Sequence, residues 1–410
     1  MKLFPGRPSK LPEGSLSRKA LQNLFKNNTA RISAGIIIAA VLAAMLGYLI
    51  TPDSSPFANE QHLEIAARKP GFSVSMLKIA KNEPDNDCPL TEKWLYGCTK
   101  AYTCLPFNNY RFENGKIILS AYDKSGDTDI VTYEYSIHDI LFALPSRDGK
   151  LSFRTGLPDL RGKIIGDDSL ALQNEIIQHH IITRRFLLGT DRFGRDMLSQ
   201  LLIGTRVSLS VGLISVFISL LLGVLLGALA GFFRGWVDDL IIWFINVIWS
   251  IPTILLVIAI TFVLGKGFWQ VFIAVGLTMW VEVARVVRGQ ILSLREKEFV
   301  EAARALGFKN GRIITRHILP NAMGPVIVIS AANFASAILI EAGLSFLGIG
   351  VQPPMPSWGT MIRENYSYII LDNPWLAILP GMCIMMLVLA FMLIGNGLRD
   401  ALDVKTTTTV

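Results

Sequence analysis

The residues of this chain that come closest to a reactive site are a glutamate and two histidines. Glu175 and His179 are four residues apart, so on a helix they would share one face, with His180 and the acidic pair Asp167-Asp168 nearby. Carboxylate and imidazole groups arranged in this way could hold a metal ion or assist hydrolysis. A solvated polar helix is the stronger interpretation, because the sequence has no HExxH, no CxxC and no glycine-flanked serine nucleophile.

Cysteines supply the second possible chemistry. Three of the four, Cys88, Cys98 and Cys104, fall within one polar stretch of the sequence. In an oxidising compartment one pair could form a disulfide and leave an odd thiol, and spacing alone does not choose the pair. Reduced packing cysteines and a zinc site stay open, although no nearby histidine completes a familiar zinc ligand set. Cys383 lies in an apolar run, where a small packing residue is expected.

ATP hydrolysis requires a phosphate-binding loop, and the sequence has none. Nothing matches GxxxxGK[ST], the pattern whose backbone amides and lysine hold nucleotide phosphates. We therefore predict that the chain is not an enzyme and binds no cofactor or metal of its own. Any energy from ATP has to come from a partner protein.

The composition is typical of a membrane protein, since 51% of the residues are hydrophobic. Crossing about 30 Å of hydrocarbon takes roughly 20 apolar residues of helix. Six stretches are long enough, and an even number of spans places both ends of the chain on one side of the membrane. The predicted spans are Ile32–Ile50, Val207–Phe233, Leu240–Leu264, Phe268–Val287, Ala322–Leu347 and Trp375–Ile394.

Basic residues predict the orientation, because loops rich in Lys and Arg stay in the cytoplasm. The N-terminal tail 1–31 and the loop 295–320 are strongly basic, whereas the loops 265–267 and 350–374 carry few charges. We predict that both termini are cytoplasmic, and this bias accounts for most of the +7 net charge without nucleic acid. The 31-residue lead and the 19-residue apolar core of the first span favour a retained anchor over a signal peptide.

A polar stretch, residues 51–190, separates the first helix at 32–50 from the other spans and is long enough for a small domain. Strand-like runs at Lys116–Tyr122 and Ile130–Tyr135, joined by the turn-prone Asp123–Asp129, predict a mixed α/β or β-rich insertion outside the cytoplasm. A helical membrane core at 191–396 and a C-terminal cytoplasmic tail at 397–410 complete the predicted organisation.

The loop 295–320 holds the densest cluster of positive charge, although both of its neighbours are predicted spans. Its first half is amphipathic, with Phe299, Ala303 and Leu306 on one predicted helical face. Gly307 and the following Lys-Asn-Gly turn end this helix, and a second short helix stops at Pro320. A basic helix–turn–helix held at the membrane surface is suited to docking a partner and transmitting force.

The arrangement of Glu301-Ala302-Ala303, Gly307 and Leu319-Pro320 resembles the EAA loop of ABC importer permeases. The resemblance implies that the loop is a coupling helix that fits a groove on a cytoplasmic ATPase. The family's usual isoleucine three residues before the proline is His317 here. The resemblance assigns ATPase coupling to Val300, Glu301, Ala302, Ala303, Gly307, Phe308, Leu319 and Pro320.

Two further motifs resemble the dipeptide/oligopeptide/nickel branch of these permeases. Residues 189–196 read GTDRFGRD, and SFLG at 345–348 precedes PPMPSWG at 353–359, which is typical of the C-type subunit of dipeptide permeases. An Asp191–Arg195 pair could close one helical turn, and a tryptophan suits a membrane interface. The resemblance implies a gate-side segment near the docking surface for an extracytoplasmic binding protein, and a structural cap at the start of a membrane helix is the alternative. The residues assigned to this side are Asp191, Gly194, Arg195, Asp196 and Trp358.

Polar residues inside the spans indicate a translocation path, because mid-membrane charge is costly and usually faces a cavity or a partner. Pro252 predicts a kink in the third span beside Asn246 and Ser250, and broken helices line paths in many transporters. Asn333 and Glu341 in the fifth span are further candidates, with a structural hydrogen bond as the alternative for Glu341.

Glu282, in the fourth span, has a different expected role. Arg285 and Arg288 follow it closely, so we expect a paired charge at the cytoplasmic end of the helix. Similar permeases usually carry an acid where Asn246 stands, so the third span lacks a fixed negative charge at this point.

The sequence therefore predicts an all-α polytopic membrane protein with six transmembrane helices, the ABC importer permease fold and an extracytoplasmic insertion at 51–190. The resemblance implies a bacterial inner-membrane subunit that works with a second homologous permease chain, two ATPases holding ATP and magnesium, and a binding protein. Import of di- or oligopeptides by alternating access is the expected function, with the direction assigned on family grounds. The alternatives are a nickel or metal-chelate importer and a membrane-anchored enzyme or sensor acting through the insertion.

Overall fold

The computed structural model describes residues 22–83, 88–122, 131–144, 146–147, 150–151, 157–161, 163–166, 168–265, 267–371 and 373–402. Most of the two predicted terminal tails, the predicted turn Asp123–Asp129 and Asp167 lie outside these residues.

Helices make up most of the described chain. In order they are α1 Asn28–Ile50, α2 Leu90–Tyr96, α3 Ile137–Leu141, α4 Ser169–Glu175, α5 Met197–Phe233, α6 Gly235–Trp249, α7 Thr253–Leu264, α8 Phe268–Leu294, α9 Glu298–Ala305, α10 Asn310–Ile313, α11 Leu319–Phe346, α12 Trp358–Asn365 and α13 Trp375–Leu402. A π-helical turn at Ile314–Ile318 joins α10 to α11, so Asn310–Phe346 is one continuous helical run.

The polytopic helical fold predicted from the sequence is confirmed. Among the described residues, α1, α5, α8, the run Asn310–Phe346 and α13 are each long and apolar enough to cross a membrane. The pair α6 and α7 qualifies together but is bent by 94°, which gives up to six spans if the pair counts as one. The predicted third span at Leu240–Leu264 is therefore present as a bent pair, and the kink predicted at Pro252 is a full break. The break lies at Pro252, where proline cannot donate the hydrogen bond that would continue the helix.

Four spans extend well beyond their predicted ends, and one of them is the run Asn310–Phe346, which starts twelve residues before Ala322. α5 begins at Met197 instead of Val207, and α8 and α13 continue past Val287 and Ile394 to Leu294 and Leu402. Hydropathy marks only the segment inside hydrocarbon, whereas the backbone hydrogen bonds of a helix continue into the aqueous layer. A prediction based on apolar length therefore does not include the charged ends of these helices.

The insertion between α1 and α5 is built on an antiparallel sheet. The strands are β1 Phe72–Ala80, β2 Tyr102–Glu113, β3 Lys116–Ala121, β4 Thr132–Ser136, β5 Ser146–Arg147, β6 Lys150–Leu151 and β7 Ile181–Phe186. Five of them form one sheet in the order β4-β3-β2-β1-β7, and β5 and β6 form a separate hairpin. Helices α3 and α4 cover one face of the sheet, where Leu77, Phe107, Ile117, Ile140 and Ile176 make a buried core. Both predicted strands are present, and the mixed α/β interpretation holds.

Glycines set the distance between α5 and α8. Gly223, Gly227 and Gly231 follow one another at four-residue spacing along the face of α5 that meets α8. A Cβ atom added at Gly227 would lie 2.4 Å from the carbonyl oxygen of Ala284 on α8. Small residues at this spacing let two helix backbones approach closely within a membrane. This glycine row was not predicted from the sequence, and it fixes the position of α8, the helix that carries Glu282.

Replacing Gly227 by alanine is expected to lower the free energy of unfolding by roughly 1–3 kcal/mol, because a backbone carbonyl cannot move aside for the new methyl group. Gly289 is the matched control, since it lies inside α8 with open space around its Cβ position. There Gly289→Ala should be neutral or stabilising by up to about 1 kcal/mol through helix propensity. Thermal unfolding of the two purified variants measures the difference, and equal effects would exclude close packing at Gly227.

Candidate functional site

The loop between α8 and α11 is a compact helical hairpin. α9 ends at a left-handed turn, where Gly307 adopts φ +77° and the amide of Phe308 donates to the carbonyl of Ala303 at 3.1 Å. Nothing lies within 4 Å of a Cβ built on Gly307, so only the backbone conformation favours glycine there. The predicted helix–turn–helix is present, and α10 follows the turn directly.

One side of α9 is buried against the membrane helices. Val300 and Ala303 are 0% and 4% exposed and pack in one cluster with Val287 of α8 and with Ile313 and Ile318 after the turn. A partner cannot reach these covered side chains, so in the coupling predicted for them Val300 and Ala303 would act through this packing and not by direct contact with the ATPase. They join the hairpin rigidly to α8 and α11.

A side of α9 adjoining the buried one presents an apolar stripe to solvent. Phe299, Ala302 and Leu306 are spaced three and four residues apart and therefore follow one line along the helix. Phe299 and Leu306 are 39% and 72% exposed, and Ala302 is also exposed, with the acidic Glu301 beside it. Phe299 and Leu306 share a helical face with Ala303, as predicted, but they lie at its edge and are exposed, whereas Ala303 is buried. We refer to Phe299, Ala302 and Leu306 as the outer stripe.

Aromatic and basic groups support the turn from behind. The rings of Phe308 and His317 stack with centroids 5.7 Å apart and planes 15° apart, and the guanidinium of Arg312 lies 4.3 Å from the centre of the Phe308 ring. Leu319 is half-buried at the start of α11, and Pro320 is exposed directly after the π-helical turn. The predicted end of the second short helix at Pro320 was wrong, because the helical run continues through it to Phe346. The imidazole ring of His317 stacks on Phe308, which the aliphatic side chain of isoleucine could not do.

A cavity of about 320 Å³ lies beside the break between α6 and α7. The break holds Ser250 and Pro252, both exposed, and the hydroxyl of Ser250 donates to the carbonyl of Val247 at 2.7 Å. The walls are mostly apolar and come from four helices and the break. They include Ile248, Trp249, Ile251, Thr253, Leu256, Thr278, Met279, Val281, Glu282, Ser336, Leu339 and Ile340.

Glu282 supplies the carboxylate of this cavity. Its expected pairing with Arg285 or Arg288 was wrong. Arg288 instead makes two contacts of 2.6 Å with Asp238 of α6. Arg285 lies 3.5 Å from the centre of the Trp249 ring and donates to the amide oxygen of Asn246 at 3.4 Å.

Glu282 is therefore exposed to the cavity, and the described residues place no basic group within ion-pair distance of it. The sequence did show an acid, Glu282, in the fourth span. The nearby Arg285 and Arg288 suggested an ion pair that the structure does not contain. An arginine three or six residues away on a helix can turn to another element.

The two polar residues predicted in the fifth span lie away from the cavity wall. Asn333 and Glu341 are 1% and 0% exposed, so neither lines a path in this conformation. One carboxylate oxygen of Glu341 accepts a hydrogen bond of 2.7 Å from Ser345, one helical turn later. The structural alternative for Glu341 fits this geometry, and Ser336 takes the place on the cavity wall expected for Asn333.

The GTDRFGRD segment forms a tight turn before α5 instead of a helical turn. Asp191 accepts hydrogen bonds from the amides of Phe193 and Arg195, each 2.9 Å long. The guanidinium of Arg195 bridges the carboxylates of Asp191 and Glu364 at 2.6 Å each, and all three side chains are at most 7% exposed. The predicted Asp191–Arg195 pair therefore exists, but its second acid, Glu364 on α12, had no sequence signal because it is 169 residues away.

The insertion locks onto this turn through backbone contact. Gly194 has φ +72°, and a Cβ atom there would overlap the carbonyl oxygen of His62, 1.7 Å away. Asp196 caps α5 by accepting from the amide of Ser199 at 2.9 Å. Trp358 is 3% exposed and donates from its indole to the carbonyl of Leu201 at 3.1 Å. These side chains hold α5, α12 and the insertion together, and Trp358 is covered by protein.

A second buried ion cluster ties the insertion sheet to the segment after α1. Glu60 contacts Lys100 at 2.5 Å and Arg184 of β7 at 2.9 Å, and all three are less than one-fifth exposed. Burial alone would raise the pKa of Glu60, but the two positive charges and their hydrogen bonds outweigh it and lower the pKa from 4.5 to about 2.

The stability of the insertion is therefore expected to fall in acid. A lowered folded-state pKa stabilises the fold fully above about pH 4.5, by roughly 3 kcal/mol, and this stabilisation is lost as the pH falls toward 2. Glu60→Gln should remove most of that pH dependence and lower the melting temperature at neutral pH. Glu134→Gln is the control, because Glu134 forms an exposed pair with Lys116. Melting curves measured between pH 3 and 7 test this, and an unchanged acid transition in Glu60→Gln would contradict it.

The cysteines and the group of Glu175, His179 and His180 have contacts that support the fold. Cys88 and Cys98 form a disulfide, while Cys104 is a buried thiol in the sheet. Glu175 pairs with Lys163 at 2.7 Å, His180 contacts the carbonyl of Lys78 at 2.9 Å, and His179 is exposed. Across the described part of the chain, no group of three or more His, Cys, Asp or Glu side chains is arranged to hold a metal ion.

The chain is similar to known membrane transport proteins. Residues 223–408 match the family described as "Binding-protein-dependent transport system inner membrane component". The dipeptide transport system permease protein DppC of Alkalihalophilus pseudofirmus is 46% identical over 217 residues, which cover 53% of this chain and 71% of that protein. The glutathione transport system permease protein GsiD of Pectobacterium atrosepticum is 43% identical over 218 residues, covering 53% and 72%.

Among solved structures, the inward-facing MetNI methionine ABC transporter aligns with a TM-score of 0.43 and 20% identity. The alignment covers 50% of this chain and 97% of that one.

Proposed function

Because this chain belongs to the family of binding-protein-dependent transport system inner membrane components, we propose that it carries di- or oligopeptides across the bacterial inner membrane. As a member of that family it is the permease subunit of an ABC importer, and it is not itself an enzyme. The observation that carries the peptide assignment is the 43–46% identity to permeases named for a dipeptide and for glutathione.

The chemistry of the cavity favours peptide over nickel. A peptide has an ammonium group at one end and a carboxylate at the other, with side chains of varied polarity between them. Glu282 offers an acid on the cavity wall, Arg285 offers a cation in an adjoining pocket that shares Trp249 and Glu282 with the cavity, and the remaining wall is largely apolar. The described residues that line this cavity include no histidine or cysteine, the side chains that nickel usually prefers. Asn246, Ser250 and Pro252 complete our proposed path at the helix break.

We assign the energy input to the outer stripe of α9. Two partner ATPases, which hold ATP and magnesium, would approach each other and push on Phe299, Ala302 and Leu306. The buried residues Val300 and Ala303 would pass that movement to α8 and α11, whose side chains form two walls of the cavity. A second homologous permease chain would complete the path, and a binding protein would deliver substrate. Rocking of the helix bundles would then expose the path to each side in turn.

The orientation follows from charge. Arg295 precedes α9, Arg304 belongs to it and Arg312 follows it, and this positive charge favours the cytoplasmic side for the hairpin and the opposite side for the insertion. Both termini would then lie in the cytoplasm. The buried contacts between the insertion and α5 support a role for the insertion as a fixed part of the outer face, beside the surface that receives the binding protein.

Uptake by intact cells tests the substrate assignment. Cells lacking this gene should lose ATP-dependent uptake of labelled di- or tripeptides and regain it when the gene is supplied, while uptake of radioactive nickel stays unchanged. Loss of nickel uptake with normal peptide uptake would overturn the peptide assignment in favour of a metal importer.

A further inference from the structure

A small disulfide-closed loop lies against the side of the first membrane helix. Cys88 and Cys98 bracket α2, which occupies the residues between them. The indole of Trp94 donates to the carbonyl of Met45 in α1 at 2.5 Å. We refer to residues 88–98 as the disulfide loop.

Arg206 of α5 fixes this loop in place. Its guanidinium donates to the carbonyl of Ala44 in α1 at 2.9 Å and to the carbonyls of Trp94 and Leu95 at 3.1 and 2.6 Å. The last carbonyls of a short helix normally face water or a cap. Here one arginine satisfies them and joins α2 to two membrane helices. The position of the loop beside α1 is therefore part of the fold.

The disulfide loop exposes more large apolar surface than an aqueous segment of its size would. Leu90, Leu95 and Tyr96 are 76%, 46% and 68% exposed, and Trp94 is 39% exposed. These four belong to a helix of seven residues, so most of α2 has no protein cover on this side. Several large apolar side chains exposed on one short segment mark a contact with another protein or with a membrane.

The position of the disulfide loop along α1 favours the membrane, rather than another protein, as the surface that it contacts. Met45 precedes the end of α1 at Ile50 by five residues, which places its carbonyl about 7 Å below the helix end. The adjoining side chains of α1, Met45, Leu49 and Ile50, are 55%, 47% and 54% exposed and belong to the apolar surface that the bilayer covers. The exposed patch of the disulfide loop continues this surface at the level where hydrocarbon gives way to headgroups. Tryptophan and tyrosine favour this level, because one end of each side chain is apolar and the other forms hydrogen bonds.

We propose that the disulfide loop is an interfacial anchor, which seats Leu90, Trp94, Leu95 and Tyr96 in the headgroup–acyl boundary of the bilayer leaflet on the insertion's side. The anchor clamps the insertion to the membrane beside α1 and α5. The surface that contacts this anchor is lipid, and not a partner protein or a second copy of this chain. The proposal does not depend on the transported substrate.

Fluorescence quenching tests the anchor in the full-length protein, purified with its partner subunits and placed in lipid nanodiscs. The difference between the wild type and Trp94→Phe isolates the emission of Trp94. Phosphatidylcholine brominated near the headgroup should quench that difference signal roughly by half, and more strongly than lipid brominated near the chain ends, as expected for an interfacial tryptophan. Iodide in the water should have little effect.

Two outcomes would overturn the anchor. Strong quenching by iodide with none by brominated lipid would place Trp94 in water. Protection from both quenchers would mean that protein covers the loop, from a partner or from another copy of the chain. Trp94→Phe keeps an aromatic ring, and its melting temperature, compared with that of the wild type, shows that the difference signal comes from a folded protein.

Discussion

Replacing Ala302 by aspartate is expected to abolish ATP-driven transport while leaving the protein folded in the membrane. Ala302 is exposed at the centre of the outer stripe, between Phe299 and Leu306, and its own side chain makes no core contact. A carboxylate buried there against a partner would lose its hydration without gaining a cation, at a cost of roughly 2–4 kcal/mol in ATPase binding. That corresponds to a 30- to 1000-fold weaker complex, by about a factor of ten for each 1.4 kcal/mol. Co-purification of the ATPase subunits with the tagged variant measures the loss.

Two further variants in the same hairpin separate docking from folding. Asn310→Asp adds the same charge at an exposed position outside α9 and should leave ATPase association unchanged. Ala303→Asp places the charge in the buried cluster with Val300 and Ile318, so it should reduce the amount of folded protein. If Ala302→Asp retained the ATPases as well as Asn310→Asp does, the outer stripe would not be the docking surface.

Replacing Arg195 by methionine should produce the second large effect, a loss of stability. Arg195 is the shared cation of Asp191 and Glu364, and removing it leaves two carboxylates buried without a counter-charge. Breaking buried pairs of this kind costs roughly 3–5 kcal/mol, and methionine keeps most of the side-chain volume. Thermal unfolding of the purified protein should show a clear drop in melting temperature.

Arg192 provides the matched control for this experiment. It lies in the same turn but is exposed to solvent, so Arg192→Met should melt close to the wild type. A melting temperature for Arg195→Met equal to that of Arg192→Met would contradict the structural role assigned to the GTDRFGRD turn. It would instead point to a role for Arg195 in contacts outside this chain.

The sequence predicted well those features that depend on local pattern. Apolar length found the membrane helices, Pro252 marked the break between α6 and α7, and Gly307 marked the end of α9. Each of these rests on the conformational preference of residues adjacent in the chain. The family motifs indicated the permease family correctly for a similar reason, since each is a short continuous stretch of sequence.

Features that depend on distant partners were missed or assigned wrongly. Glu364 completes the Arg195 cluster from 169 residues away. Arg288 pairs with Asp238, although Glu282 is closer to it in the sequence. Helical periodicity grouped Phe299 and Leu306 with Ala303 but could not say which side of α9 the membrane helices cover. In each case the answer depends on which elements pack together, and the amino-acid pattern of a single element does not contain it.

The most direct measurement of the central claim is ATP-driven uptake of a labelled dipeptide by proteoliposomes that contain the whole complex. With the wild-type chain, peptide should accumulate only when ATP is present on the ATPase side and the binding protein on the other. With Ala302→Asp it should not accumulate, although the chain is present in equal amount. Equal uptake by the two complexes, or uptake by the wild type without ATP, would contradict the claim that energy enters this permease by contact at α9.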